Sequence, residues 1–192
     1  MAARGGYAKG RARKEQILTE AVRLFAASGY RAASLRELAQ RCELSLPGLL
    51  HHVGGKEQLL LAVLERRDAD DAAEAGLAER TGRERFEALL QVVARNRARR
   101  GIVELYSVLS AEATAPDHPA HAFFVRRYAR LVDELAGAFT DCGHPRPRSA
   151  ARRLVAVMDG LQVQWLLDPD GVDMVAEVRR HLDAELPPPA PG

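Results

Sequence analysis

The chain predicts an all-α fold, with a three-helix helix-turn-helix head followed by a larger helical body. Three observations predict it. Apolar residues recur at three- and four-residue spacing along most of the chain, and nowhere do they alternate as a half-buried strand requires. Glycines, prolines and capping residues cut this pattern into about nine segments of helical length. Aromatic residues make up only 5% of the chain, so the core is built from Leu, Val and Ala, which suits helices packed on helices.

The 192 residues are enough for a small domain joined to a larger one. A hydrophobic share of 47% and a charged share of 28% are those of a folded globular protein. The organisation expected is a disordered basic arm over 1–10, a helix-turn-helix head over 11–55, a helical body over 56–186 and a disordered proline-rich tail over 187–192. Charge separates head from body. Residues 1–55 carry nine Lys or Arg against four Asp or Glu, whereas the remainder carries nineteen against twenty-two. A basic head on a mildly acidic body is the electrostatic footprint of a chain that meets nucleic acid at one end.

Taken in order, Arg11 to Ser28 reads as the first helix. Ile17, Ala21, Leu24, Phe25 and Ser28 share a face, and Gly29 stands where a helix ends in a left-handed residue. Ser34 caps the second helix, with Glu37 placed to complete a capping box. Leu35, Leu38, Ala39 and Cys42 form its stripe. After Glu43-Leu44, Ser45 caps a third helix whose first turn holds Pro47, where a missing N–H costs little. Leu46, Leu49, Leu50 and Val53 form its stripe, and Gly54-Gly55 ends it. Two short helices joined by about three residues make a helix-turn-helix, whose second helix enters the DNA major groove.

The fourth helix runs from Lys56 to about Arg80 and links head to body. Arg83 to Arg100 and Ile102 to Thr114 follow, then a helix from Asp117 to about Cys142. The basic run 94–100 is most simply a solvated helix end. Arg148 to Asp168 is apolar over more than one face, so it is expected to be buried on both sides, one of them against a second copy of the chain. Asp173 to Leu186 completes the set.

Chemistry-bearing motifs are few. His51 and His52 diverge by about 100° on a helix and cannot chelate one metal together. His118 and His121 are three apart but lack a third ligand fixed by spacing, so a capping role is the simpler reading. Asp168-Pro169-Asp170-Gly171 resembles the start of a calcium loop, but Val172 stands where a further oxygen ligand belongs. Glu104 and Glu112 share a face without a Glu-x-x-His partner, and no P-loop, GxSxG or HExxH occurs. No metal, no cofactor and no enzyme activity are expected. Cys42 and Cys142 lack CxxC spacing and read as free thiols of a reducing cytoplasm. No apolar run reaches the ~18 residues of a membrane span, and the basic N-terminus lacks an apolar secretory segment. A cytoplasmic location is therefore expected, with no membrane partner.

For the head, the residues read as DNA contacts are Ser34 and Arg36 at the start of the second helix, Ser45, Leu46, Pro47 and Gly48 at the tip of the third, and Leu50, His51 and His52 along it. Arg36 can take phosphate. Leu46 and Pro47 can touch thymine methyls or read groove shape, and the histidines can donate to phosphate or base acceptors.

The stretch ILTEAVRLFAASGYRAASLRELAQRCELSLPGLLHHVGGKEQLL resembles the tetracycline-repressor-type (TetR) family of bacterial regulators, with order, spacing and capping agreeing from Arg11 to about Leu64. The chain departs from the family where typical members have an aromatic pair and a phenylalanine, reading Leu50, His52 and Val53, and Leu46-Pro47-Gly48 replaces the usual Lys-Gly-Thr type of start. The resemblance implies a ligand-responsive repressor that binds a near-palindromic operator as a homodimer. Its partners would be double-stranded DNA, a second copy of itself and a small-molecule effector. It also implies that Lys56 contacts phosphate, that the body holds a pocket, and that the last two helices build the dimer. Polar or aromatic residues at core-facing positions are the pocket candidates: Asn96, Tyr106, Phe123, Arg127, Tyr128, Gln162 and Trp165. The dimer candidates are Leu154, Val157, Met158, Leu161 and Trp165 with Val175, Val178 and Leu182. Two other readings are a helical interaction protein whose helix-turn-helix is only structural, and an all-α enzyme.

Overall fold

The computed structural model describes residues 2–187, with the side chains of 2–9, 11 and 78 excepted. Nine α-helices and one short 3-10 turn are found among the described residues, with no strand. The helices are α1 (Ala2–Ala32), α2 (Leu35–Arg41), α3 (Leu46–Val53), α4 (Lys56–Glu74), α5 (Gly82–Asn96), α6 (Arg100–Glu112), α7 (His121–Asp141), α8 (Pro147–Leu167) and α9 (Met174–Glu185); the 3-10 turn is Leu77–Glu79. They form two compact units, Met1–Asp68 and Ala69–Gly192. The boundary falls inside α4, thirteen residues beyond the expected end of the head at Gly55. No helix is long and apolar enough to cross a membrane, and no cluster of His, Cys, Asp and Glu could hold a metal, among the described residues.

In the first unit α1, α2 and α3 pack on one another. Ile17, Ala21, Leu24 and Phe25 of α1, Leu38 and Ala39 of α2 and Leu49 and Val53 of α3 are buried, as their spacing predicts. Ser28, placed on that face by periodicity, is instead exposed, and its hydroxyl donates to the Leu24 carbonyl. The backbone expected to be a disordered arm over 1–10 is helical from Ala2, continuous with the turns of α1 that follow it. The disordered-tail reading of 187–192 lies outside the described residues from 188 onward. Gly29 breaks the α1 geometry with φ 72°, a conformation glycine reaches without steric cost.

Ser34 caps α2, but the capping box is half made. Its hydroxyl accepts from the Arg36 N–H, while Glu37 turns forward to pair with Arg41 at 2.7 Å. The turn between α2 and α3 closes with Leu44 N–H donating to the Ala39 carbonyl, which puts Glu43 at φ 54°. An L-residue there costs about 1–2 kcal/mol. Glu43→Gly is therefore expected to raise the unfolding midpoint, by up to about 1 kcal/mol after the glycine's extra unfolded-state entropy is subtracted. Thermal unfolding checks this, and a lowered midpoint would contradict it.

In the second unit α8 packs on α6, α7 and α9, and α5 on α6, α7 and α9. Phe86, Leu90, Leu135, Phe139, Leu154, Val178 and Leu182 form one core cluster; Val93, Val103, Trp165 and Met174 form a second. Phe86 and Phe139 stack with centroids 4.6 Å apart, a pair worth about 0.5–1.5 kcal/mol beyond the area it buries. The Asp141 carboxylate accepts from the Gly82 N–H at 3.1 Å and so caps α5 from the end of α7. The basic run 94–100 is drawn onto acids of α4: Arg99 meets Asp71 and Glu74 at 3.1 Å, and Arg95 meets Glu74 at 3.5 Å. His121 Nδ1 lies 2.8 Å from the Ala113 carbonyl and His118 Nδ1 accepts from the Ala120 N–H, so this histidine pair closes the α6–α7 turn. Asp168 Oδ1 accepts from the Gly171 N–H in the turn before α9, and Asp173 caps that helix through the Val175 and Ala176 N–H groups.

Candidate nucleic-acid interface and effector cavity

The third helix is eight residues long and cannot stand alone in water. It is held by two buried anchors, Leu49 and Val53, while Ser45 caps its start by accepting from the Gly48 N–H at 3.2 Å. This arrangement turns Ser45, Pro47 and His51 to solvent and leaves Leu46, Gly48, Leu50 and His52 half-buried. Ser34 and Arg36 are exposed at the start of α2. The expected DNA-contact residues of α2 and α3 thus fall on the first turn of one short helix and along the other, with Leu49 turned inward. The His51 and His52 rings meet edge to face with centroids 5.6 Å apart.

Lys56 is placed less simply. Its ammonium donates to the Arg31 carbonyl at 2.9 Å and lies 4.9 Å from the Tyr30 ring centroid. It therefore ties the start of α4 to the short turn after Gly29. An ammonium has three protons, and one is spent here. Burial, followed by the neighbouring Glu57 charge, raises the Tyr30 phenol above its ordinary range.

The second unit holds two adjoining pockets, here called lobes, whose linings share Arg127, Asp159 and Gln162. One lobe, about 50 Å³, is lined chiefly by Leu77, Leu89, Leu131, Leu135, Val155 and Met158. The other, about 90 Å³, is lined by Tyr106, Ser107, Ser110, Phe124, Tyr128 and Val163. Asp159 organises the shared wall. The Tyr128 hydroxyl donates to its Oδ2 at 2.8 Å. Burial raises the Asp159 carboxyl, against the opposing pull of that hydrogen bond and of the Arg127 charge. Burial together with Asp159 pushes the Tyr128 phenol up to about 12. The Arg127 guanidinium lies 5.2 Å from the Tyr106 ring centroid and 6.0 Å from that of Tyr128.

Of the residues expected to line a pocket, Tyr106, Arg127, Tyr128 and Gln162 meet in this cavity. Asn96, Phe123 and Trp165 do not line either lobe. Phe123 is core, and Trp165 packs in the second cluster with Arg100 over its ring. Asp159 was not singled out from sequence; its one signal is an acid inside the apolar pattern of α8.

The residues expected at a dimer face divide between the core of their own chain and its margin. Leu154, Trp165, Val178 and Leu182 are buried in their own chain, and Met158, Leu161 and Val175 pack partly buried against the same clusters. Val157 is half-buried. After Arg148, Ser149, Arg152 and Arg153 near its start, the α8 residues turned outward are Ala156, Gly160, Val163, Gln164 and Leu167, with Val163 48% and Leu167 82% exposed. The apolar stripe of α8 is widened on its inner side by contact with α6, α7 and α9, which bury Leu154 and Trp165.

Comparison with known proteins agrees with both units. Residues 17–63 match the family model for bacterial regulatory proteins of the tetR family, and residues 82–187 match that for the C-terminal part of BetI-type transcriptional repressors. The HTH-type transcriptional regulator BetI of Rhizobium meliloti (strain 1021) is 28% identical over 173 residues, covering 86% of this chain and 84% of the relative. A solved transcriptional regulator from Rhodococcus sp. Rha1 superposes with a TM-score of 0.74 at 22% identity, over 91% of this chain and 99% of that one. A transcriptional regulator from Saccharomonospora viridis, solved in complex with choline, superposes with a TM-score of 0.72 at 21% identity, over 90% and 96% of the two chains.

Proposed function

This chain belongs to the TetR family of bacterial regulatory proteins, and from that membership we infer a ligand-responsive transcriptional repressor working as a homodimer in the cytoplasm. Its work is binding rather than catalysis. The head reads duplex DNA, the helical body takes a small-molecule effector, and two copies pair so that two heads address the half-sites of a near-palindrome.

The observation that carries this reading is the way α3 is mounted. Leu49 and Val53 fix it to the core while Ser45, Pro47 and His51 face solvent beside the exposed Arg36. A helix-turn-helix used only as a structural element has no need to present its second helix in this way. In the proposed complex Arg36 and the free protons of Lys56 take phosphate, Ser34 and Ser45 flank them, and Leu46, Pro47, Gly48 and Leu50 pack into the major groove with His51 and His52 reaching acceptors. The division of labour follows the two units, with α4 as the covalent passage between them.

Release follows from linkage. An effector that binds better to the body of the DNA-free protein weakens DNA binding by the same factor, and a switch from mostly bound to mostly free needs several kcal/mol of differential affinity.

The test is selection of duplexes from a random pool by the purified full-length protein, followed by affinity against salt concentration. An inverted repeat with half-sites one helical turn or a multiple of it apart is expected. So is a log–log salt slope of about −0.9 per phosphate engaged. No duplex affinity at low salt would overturn the reading and leave the helix-turn-helix a structural element.

A further inference from the structure

The effector cavity is charge-balanced within itself, and this bears on what it can hold. Its shared wall carries one cation, Arg127, and one acid, Asp159. The other two charged residues at the apolar lobe are spent or wet. Arg85 donates to the Arg80 and Leu77 carbonyls at 2.9 and 2.6 Å, and Glu134 is exposed to solvent. The aromatic faces of Tyr106 and Tyr128, on which a ligand cation would rest, already carry the Arg127 guanidinium. Asp159 in turn already accepts from Tyr128. A ligand with a net charge would displace one of these internal partners and leave the other half-buried and uncompensated, which opposes its binding.

What the wall leaves unmet is neutral. Ser107 Oγ is shielded from solvent and has no hydrogen-bond partner, and it lines the polar lobe. The opposite lobe offers leucines, Val155 and Met158. Size is limited as well. An engineered cavity of ~150 Å³ holds one benzene ring, so lobes of about 50 and 90 Å³ together admit a molecule no larger than about one such ring, with a short chain rather than a ring in the apolar lobe.

We propose that this cavity takes a small molecule of zero net charge, with a compact apolar arm in the leucine-lined lobe and a hydroxyl-type head at Ser107, Tyr128 and Gln162. The proposal rests on the repressor reading for the cavity's being an effector site.

Three probes share one short apolar arm and differ in charge: 1-butanol, butylammonium and butanoate. Their affinities for the full-length protein can be read by calorimetry and by fluorescence of Trp165, the one tryptophan of the chain. The alcohol is expected to bind at least tenfold more tightly than either ion. Asp159→Asn should move the preference to butanoate, and Arg127→Gln should move it to the ammonium, each by about tenfold. A wild type that prefers an ion, or that binds none of the three, overturns the proposal, as do folded variants that keep the wild-type order. Should a variant fail to fold, the wild-type ranking decides alone. Duplex affinity of the same preparation, measured without probe, separates the two readings. Intact DNA binding with the wrong probe order sinks only the ligand class. The expected order without DNA binding sinks the repressor reading.

Discussion

Pro47→Glu is expected to lower duplex affinity by about 100-fold or more while leaving the fold intact. Pro47 is exposed in the first turn of α3, in the part of the helix proposed to go deepest into the major groove. A carboxylate there faces phosphates on both sides of the groove. Like-charge juxtaposition at an interface costs several kcal/mol, and about 2.8 kcal/mol is already 100-fold. The folded head has no reason to object. An acid in a helix's first turn is favoured by about 0.3–1 kcal/mol, which offsets the loss of proline's restriction of the unfolded chain, about 0.4–1 kcal/mol. The Ser45 cap on the Gly48 N–H is untouched. Binding by fluorescence anisotropy and unfolding by circular dichroism should therefore part company. Pro47→Ala, which removes shape but adds no charge, should lose far less. Wild-type affinity in Pro47→Glu would mean that the tip of α3 does not enter the groove.

The head was legible in the sequence because its signals are local. Gly29, Ser34, Ser45 and Gly54 each act through the few residues beside them, and each sits where its spacing placed it. The failures inside the head are also local and have named competitors. Glu37 could reach back to close a capping box or forward to Arg41, and the ion pair won. Lys56 carries no mark in the sequence of its bond to the Arg31 carbonyl, twenty-five residues away.

The body was legible as helices but not as faces. Periodicity says how much of α8 is apolar, not which neighbour covers each part. Leu154 and Trp165 look like interface residues until α6, α7 and α9 are packed around them. Helix ends moved for similar reasons. Gly82, just before the expected helix start at Arg83, is held at the start of α5 by Asp141, and Gly101, between the expected helices that end at Arg100 and begin at Ile102, lies in the first turn of α6. Asp159 shows the limit most clearly. Its partners Tyr128 and Arg127 lie on another helix, about thirty residues away, so the charge balance of the cavity exists only after folding.

Gly160→Leu is the corresponding large effect for the body. In a single chain this position is open: a Cβ there would meet no atom within 4 Å, and Gly160 is exposed. Leucine should therefore help an isolated subunit, since glycine inside a helix costs about 0.8–1 kcal/mol relative to a good helix former. If α8 pairs with its twin through the outward face of Ala156, Gly160, Val163 and Leu167, the same side chain lands between two close-packed helices. Overpacking costs about 1–3 kcal/mol at each site, and a two-fold interface counts the site twice. The dimer dissociation constant should rise between roughly 30-fold and 10⁴-fold, on the scale of tenfold per 1.4 kcal/mol. Sedimentation velocity should then show monomer with an undiminished unfolding midpoint for the isolated subunit, and two-head DNA binding should fall with it. Gly160→Ala, adding one methyl, should stay dimeric. A Gly160→Leu protein that sediments as a dimer at wild-type concentrations would place the subunit contact on some other face than this one.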